Sequence, residues 1–152
     1  MTKTQSMTLE FAEAQWALGL LHADSLPEVA CAALEAGLYS EPLCVLAGLV
    51  RPTARDAGPL FEQALVELGR VPLTHAQGLL QVAGYWARRI VSGAVRPIQG
   101  ADQLALLFPC SELPEIDTFW HLADQWEWIQ QRPALEREII EAARHLLAHL
   151  EG

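Results

Sequence analysis

Three polar side chains in the segment 117–128 have the types and the spacing that a metal site or an acid–base site requires. Asp117, His121 and Asp124 stand at positions i, i+4 and i+7, which places them on one face of a helix. A carboxylate beside an imidazole can bind a divalent metal ion, or can orient the imidazole for general acid–base catalysis. One hypothesis from this pattern is therefore a small metal-dependent or hydrolytic enzyme that uses these three residues.

The other interpretation of the same residues is a solvated helix face with a local histidine–carboxylate pair. No second ligand motif such as H-E-x-x-H accompanies them. The sequence also lacks a G-x-S-x-G nucleophile turn, a P-loop and a G-x-G-x-x-G phosphate-binding turn. We therefore assign no catalytic residue, no metal ligand and no cofactor, and the chain is more typical of a non-enzyme than of an enzyme.

A second group of side chains with possible chemistry lies near the C-terminus. His145 and His149 are one helical turn apart, and Glu141 precedes them by one further turn. This spacing suits a divalent cation bound at a helix surface. It is equally typical of a polar helix end, where the helix dipole favours a protonated histidine. The pair is the second location for the enzyme hypothesis.

The negative charge of the chain is concentrated in its C-terminal third. The formal net charge is −9. Residues 101–152 contain ten acidic and three basic side chains, whereas residues 1–100 contain nine acidic and seven basic ones. Nucleic acids and anionic membrane surfaces are bound by positive charge. We therefore expect neither as a partner.

The same third of the chain has the features of a docking surface for a basic protein. Carboxylates steer a basic partner, and a tryptophan buries a large area on binding. The predicted partner-binding residues are Asp117, His121, Asp124, Glu127 and Trp128. Polar neighbours favour exposure of Trp128. The alternative is that Trp120 and Trp126 anchor the core and that the acidic side chains only aid solubility.

The elements that must position these residues are helices. Start signals recur along the chain, and no segment alternates with period two for long enough to form a strand. The start signals stand at Thr8, Ser25, Ser40, Asp56, Thr74, Pro97, Pro114 and Pro133. We predict an all-α fold, a single compact bundle of about eight short helices arranged as helical hairpins. It forms one all-helical domain over residues 1–152.

Hydropathy and cysteine usage predict a cytoplasmic protein. No apolar run approaches the ~20 residues that span a bilayer. The polar segment 1–7 is not followed by a hydrophobic segment with a small-residue cleavage site. The three cysteines, Cys31, Cys44 and Cys110, have no C-x-x-C spacing. We expect reduced thiols, with Cys31 and Cys44 filling the core.

Four segments resemble those of small all-helical bacterial proteins of unknown function. They are SEPLCVLAGL (40–49), FEQALVELG (61–69), IVSGAVRPIQGA (90–101) and FWHLADQWE (119–127). The resemblance covers about residues 30–130. It implies a small all-helical bacterial fold and transfers no catalytic residue. The chain is also similar in type to the small acidic helical proteins that act as immunity proteins.

From the negative charge of residues 101–152 and the lack of a catalytic motif we hypothesise a non-enzymatic interaction protein of the bacterial cytoplasm. Its most specific form is an immunity-type inhibitor that binds a basic toxin through the acidic C-terminal face. A homo-oligomeric structural protein, with the apolar excess covering a self-interface, is a further alternative. The sequence leaves the oligomeric state open.

Overall fold

Every regular element of the described chain is a helix. The computed structural model describes residues 2–107, 113–128 and 132–151, with side chains from Leu9 onward. Within those ranges the chain forms eight α-helices and one 3-10 helix, with no strand. They are α1 (Thr2–Ala17), the 3-10 helix (Ala23–Ser25), α2 (Leu26–Glu35), α3 (Glu41–Ala47), α4 (Ala54–Glu67), α5 (His75–Ser92), α6 (Pro97–Ala105), α7 (Pro114–Gln125) and α8 (Arg132–Glu151). The predicted all-α bundle of about eight helices is confirmed.

Residue contacts cluster within two units, residues 1–78 and residues 79–152. α5 begins in the first unit and continues in the second. The expectation of one domain over residues 1–152 stays a prediction. The predicted helical hairpins are visible in the first unit, where α1 packs on α2, α2 on α3, and α3 on α4.

The core of the first unit combines small and large apolar side chains. On α2, Leu26, Ala30 and Ala33 follow helical spacing and are all buried. The alanines let neighbouring helices approach closely, while larger residues fill the space between them. Phe61 on α4 is fully buried, and its ring lies edge-on to that of Trp16 at a centroid distance of 5.4 Å. Gly58 faces the same indole, because a Cβ there would lie 3.3 Å from the Trp16 ring.

The second unit positions the segment with the predicted partner-binding residues. α6, α7 and α8 all pack against one another. α7 buries Ile116, Phe119 and Leu122, and α8 presents a buried stripe at helical spacing. That stripe consists of Leu135, Ile139, Ala143 and Leu146. Because one side of α7 is held in this core, its opposite side faces outward.

Helix caps account for several boundaries. Ser40 precedes α3, and its hydroxyl accepts a hydrogen bond of 3.2 Å from the Leu43 amide. Thr74, one of the predicted helix starts, forms a capping box with Gln77 before α5, with hydrogen bonds of 2.9 and 3.1 Å. These bonds satisfy amides that a helix N-terminus otherwise leaves without partners.

Two predicted helix starts are wrong. α1 begins at Thr2 rather than after Thr8. α4 begins after Thr53, whose hydroxyl accepts a bond from the amide of Asp56, so Asp56 and Pro59 lie inside the helix. The start at Thr53 prevails because its side chain caps the first turn. Pro59 is accommodated with the loss of one backbone bond.

The expectation that Cys31 and Cys44 fill the core is also wrong. Both thiols are free and exposed. α2 and α3 bury other faces, which contain Ala30 and Leu43 among their core residues. A cysteine next to a buried position in sequence lies about 100° away around the helix. Cys110 lies outside the described residues.

None of the described helices is both long enough and apolar enough to cross a membrane.

Candidate functional site

The outward side of α7 and the turn after it form an acidic, aromatic surface, which we name the α7 face. It consists of Asp117, Trp120, His121, Asp124, Glu127 and Trp128, all of which are exposed. On a helix, Asp117, His121 and Asp124 fall within a narrow arc, opposite the buried Phe119. The structure thus places all five residues predicted to bind a partner at the surface of the second unit.

Two tryptophans of the α7 face present their rings to solvent. Trp128 is 80% exposed and Trp120 is 43% exposed. The exposure expected for Trp128 is confirmed, whereas the alternative of Trp120 as a core anchor is wrong. The exposure of Trp120 could have been inferred from its position three residues after Asp117, because residues i and i+3 share a helix face. Trp126 is partly buried, and the Arg132 guanidinium lies 5.0 Å from the centre of its ring.

The acidic character of this region extends to α6 through Asp102. Desolvation raises the pKa of the Asp102 carboxyl, and the negative charge of Glu127 raises it further. The two carboxylates are therefore close enough to repel each other. Sequence reasoning missed Asp102 because it is 25 positions from Glu127 and meets it only through helix packing.

The geometry of Asp117, His121 and Asp124 is that of an open surface rather than of a closed cavity. The two aspartates are separated by two helical turns, or about 10 Å along the helix axis. Among residues 2–107, 113–128 and 132–151, no three His, Cys, Asp or Glu side chains are grouped so as to hold a metal ion.

A groove with a volume of about 510 Å³ lies between α7 and α8 and carries several of the other polar candidates. Glu141 and His145 from α8 line it, together with Glu115 and Thr118 from α7. His149 does not line this groove together with Glu141 and His145. Its Nδ1 atom lies 3.5 Å from Oε1 of Glu115 on the facing helix.

Glu115 is the polar residue of this groove that sequence reasoning missed. Its side chain is only 15% exposed, and its Oε2 atom is buried without a hydrogen-bond partner. At the groove edge, Glu141 is paired with Arg144 at 3.2 Å. The Glu115–His149 pair joins residues 34 positions apart on two helices, so spacing within either helix does not reveal it.

Similarity to known proteins adds no functional assignment to this geometry. No known family model, no curated protein and no solved structure matches the chain. The resemblance to small all-helical bacterial proteins stays a prediction. The function is therefore argued from the α7 face and from the groove beside it.

Proposed function

We propose that the protein is a non-enzymatic interaction protein that binds a basic protein partner through the α7 face. The most specific form of this proposal is an immunity-type inhibitor of the bacterial cytoplasm. Such an inhibitor would cover the active surface of a basic toxin by shape and charge complementarity. We expect no nucleic acid and no membrane as partners, because the surface carries the same sign of charge as both.

The observation that carries the proposal is the exposure of Trp120 and Trp128 among carboxylates. From Leu113 to Trp128 the chain has four acidic side chains and no lysine or arginine. Large aromatic side chains at a surface are frequent energetic centres of protein interfaces. Exposed carboxylates around them accelerate association with a basic partner. The α7 face combines both properties within one helix and its following turn.

Charge reversal on the α7 face tests the proposal against the protein encoded by the reading frame adjacent to this gene. We expect Asp117→Lys with Asp124→Lys to weaken binding by about tenfold or more, because two attractive charges become repulsive. Trp128→Ala should weaken it by a similar factor. Isothermal titration calorimetry at about 50 and about 500 mM salt should show affinity falling as salt rises.

A matched control exists in the first unit. Glu28 and Glu35 are exposed, lie on one helix and are also seven residues apart. Glu28→Lys with Glu35→Lys therefore makes the same change of charge at the same spacing, and should leave the affinity unchanged. An affinity that changes neither with salt concentration nor with the α7 substitutions would contradict the proposal. Binding without inhibition of the partner would contradict only the inhibitor form.

A second candidate function, an enzyme, is favoured by the pairing of His149 with Glu115, a residue that lines the α7–α8 groove. A carboxylate that orients an imidazole is a common arrangement in general acid–base catalysis. Elemental analysis of protein purified without a histidine tag tests the metal-dependent version. Stoichiometric zinc or iron would favour the enzyme, whereas a metal-free protein that inhibits its partner would count against it.

A further inference from the structure

The first unit contains a cleft that is separate from the α7 face. Its volume is about 480 Å³, within the range of small-molecule sites. α1 contributes Glu13 and Trp16, α4 contributes Leu65 and Val66, and the segment after α4 contributes Arg70 and Val71. We name it the α1–α4 cleft. Its walls are mainly apolar, and Val66 and Val71 are 61% and 81% exposed.

Glu13 is the unusual residue of this cleft. Its side chain is only 9% exposed, and its Oε1 atom is buried without a hydrogen-bond partner. The Nε atom of Arg70 lies 3.4 Å from that oxygen, which is longer than the 2.7–2.9 Å of a charge-assisted hydrogen bond. A buried carboxylate oxygen without a hydrogen bond is costly. Glu13 also lines the cleft, so its carboxylate can pair there with an entering cationic group.

The charges around the cleft determine which charge a ligand should carry. Glu10 and Glu62 add two further carboxylates, whereas Arg70 is the basic side chain among the described residues that line the cleft. Its Nη1 atom lies 4.0 Å from Glu10, so its charge is shared between two carboxylates. A ligand carboxylate would meet net repulsion here, whereas an ammonium or guanidinium group would meet net attraction.

We propose that the α1–α4 cleft binds a small amphipathic amine, with its cationic nitrogen paired with the Glu13 carboxylate and its apolar body against Trp16, Leu65 and Val66. The class of ligand follows from the two parts of the site. The apolar walls bury a hydrocarbon or aromatic body, and the Glu13 carboxylate fixes its polar end. The site is independent of the α7 face and of the proposed protein partner.

The experiment is an NMR titration of the full chain with three probes that share a phenyl body. They are 2-phenylethylamine, 2-phenylethanol and 3-phenylpropionate. We expect the amine to give saturable shifts of the Glu13 amide and of the Trp16 indole N–H. The alcohol should bind about tenfold more weakly, because it lacks the charge that strengthens the bond to a carboxylate. The propionate should bind most weakly of the three.

Variants separate the cleft from non-specific binding. Glu13→Gln should weaken binding of the amine by about tenfold. Glu28→Gln, a substitution of an exposed residue in the same unit, should leave this binding unchanged. Val66→Trp fills the cleft from an exposed position and should abolish the shifts while the chain stays folded. The proposal is overturned if wild type binds no amine, if the propionate binds more tightly, or if the amine binds both cleft variants as well as it binds wild type.

Discussion

The negative charge of Glu127, in the turn after α7, acts on the carboxyl of Asp102 on α6. Desolvation raises the pKa of the Asp102 carboxyl, and the Glu127 charge raises it further. The Glu127 charge therefore adds repulsion between these two carboxylates. A basic partner would relieve this repulsion, which agrees with the proposed docking role.

The first prediction follows from this pair. Removing the charge with Glu127→Gln should lower the pKa of Asp102, because one of its two causes disappears while desolvation remains. A carbon-detected NMR titration of the side-chain carboxyls measures it. Asp117→Asn, which removes an equal charge elsewhere on the α7 face, is the comparison. An unchanged Asp102 titration in the Glu127 variant would show that the two carboxylates do not interact.

The second prediction concerns the pH dependence of stability in the first unit. Desolvation raises the pKa of Glu13, Arg70 lowers it, and Glu10 raises it, with a net increase. The folded chain therefore holds this proton to a higher pH than the unfolded chain does. As pH rises from about 4 toward neutral, the unfolded state releases the proton first, so the Glu13 contribution to folding becomes less favourable.

Glu13→Gln has no such titration. The stability of wild type relative to this variant should therefore decline between about pH 4 and about pH 7. Urea unfolding of both proteins across that range measures the difference. Glu28→Gln should follow the wild-type profile. Parallel profiles for wild type and Glu13→Gln would show that the environment of Glu13 does not disfavour its ionised form.

The third prediction tests the core beneath the cleft. Phe61 is fully buried and contacts the Trp16 ring. Phe61→Ala removes this aromatic contact and leaves a cavity, so it should cost about 3–5 kcal/mol in the free energy of unfolding. Val50 is 86% exposed, and Val50→Ala should change stability by less than about 0.5 kcal/mol. Chemical denaturation gives both values, and similar losses would place Phe61 outside the core.

The fourth prediction uses two glycines with different surroundings. A Cβ at Gly78 would lie 2.9 Å from the carbonyl oxygen of Ala14 and 3.0 Å from the Cβ of Ala17. Gly78→Ala should therefore destabilise the chain by about 1–3 kcal/mol, despite the roughly 1 kcal/mol by which alanine favours a helix. Gly48→Ala meets only ordinary contacts, the nearest at 3.7 Å. Thermal unfolding should show a lower midpoint for Gly78→Ala only.

Local features of the chain were sufficient to predict the class of fold. Ser40 and Thr74 cap their helices as expected, because a cap depends on atoms three residues apart. The exposure of Trp128 also follows from its polar neighbours. The arc shared by Asp117, His121 and Asp124 needs only the rotation of 100° per residue. These properties depend only on residues close together in the sequence and not on packing between helices.

The exposure of Cys31 and of Trp120 was not predicted, for the opposite reason. Both lie in apolar stretches, and only helix packing decides which of several apolar faces is buried. The Glu115–His149 and Glu13–Arg70 pairs likewise join distant parts of the chain. Sequence determined the helical class of the fold, the caps at Ser40 and Thr74 and the acidity of α7. Tertiary structure decided which side chains became buried and which became partners, because burial and charge pairing depend on distances in space rather than along the chain.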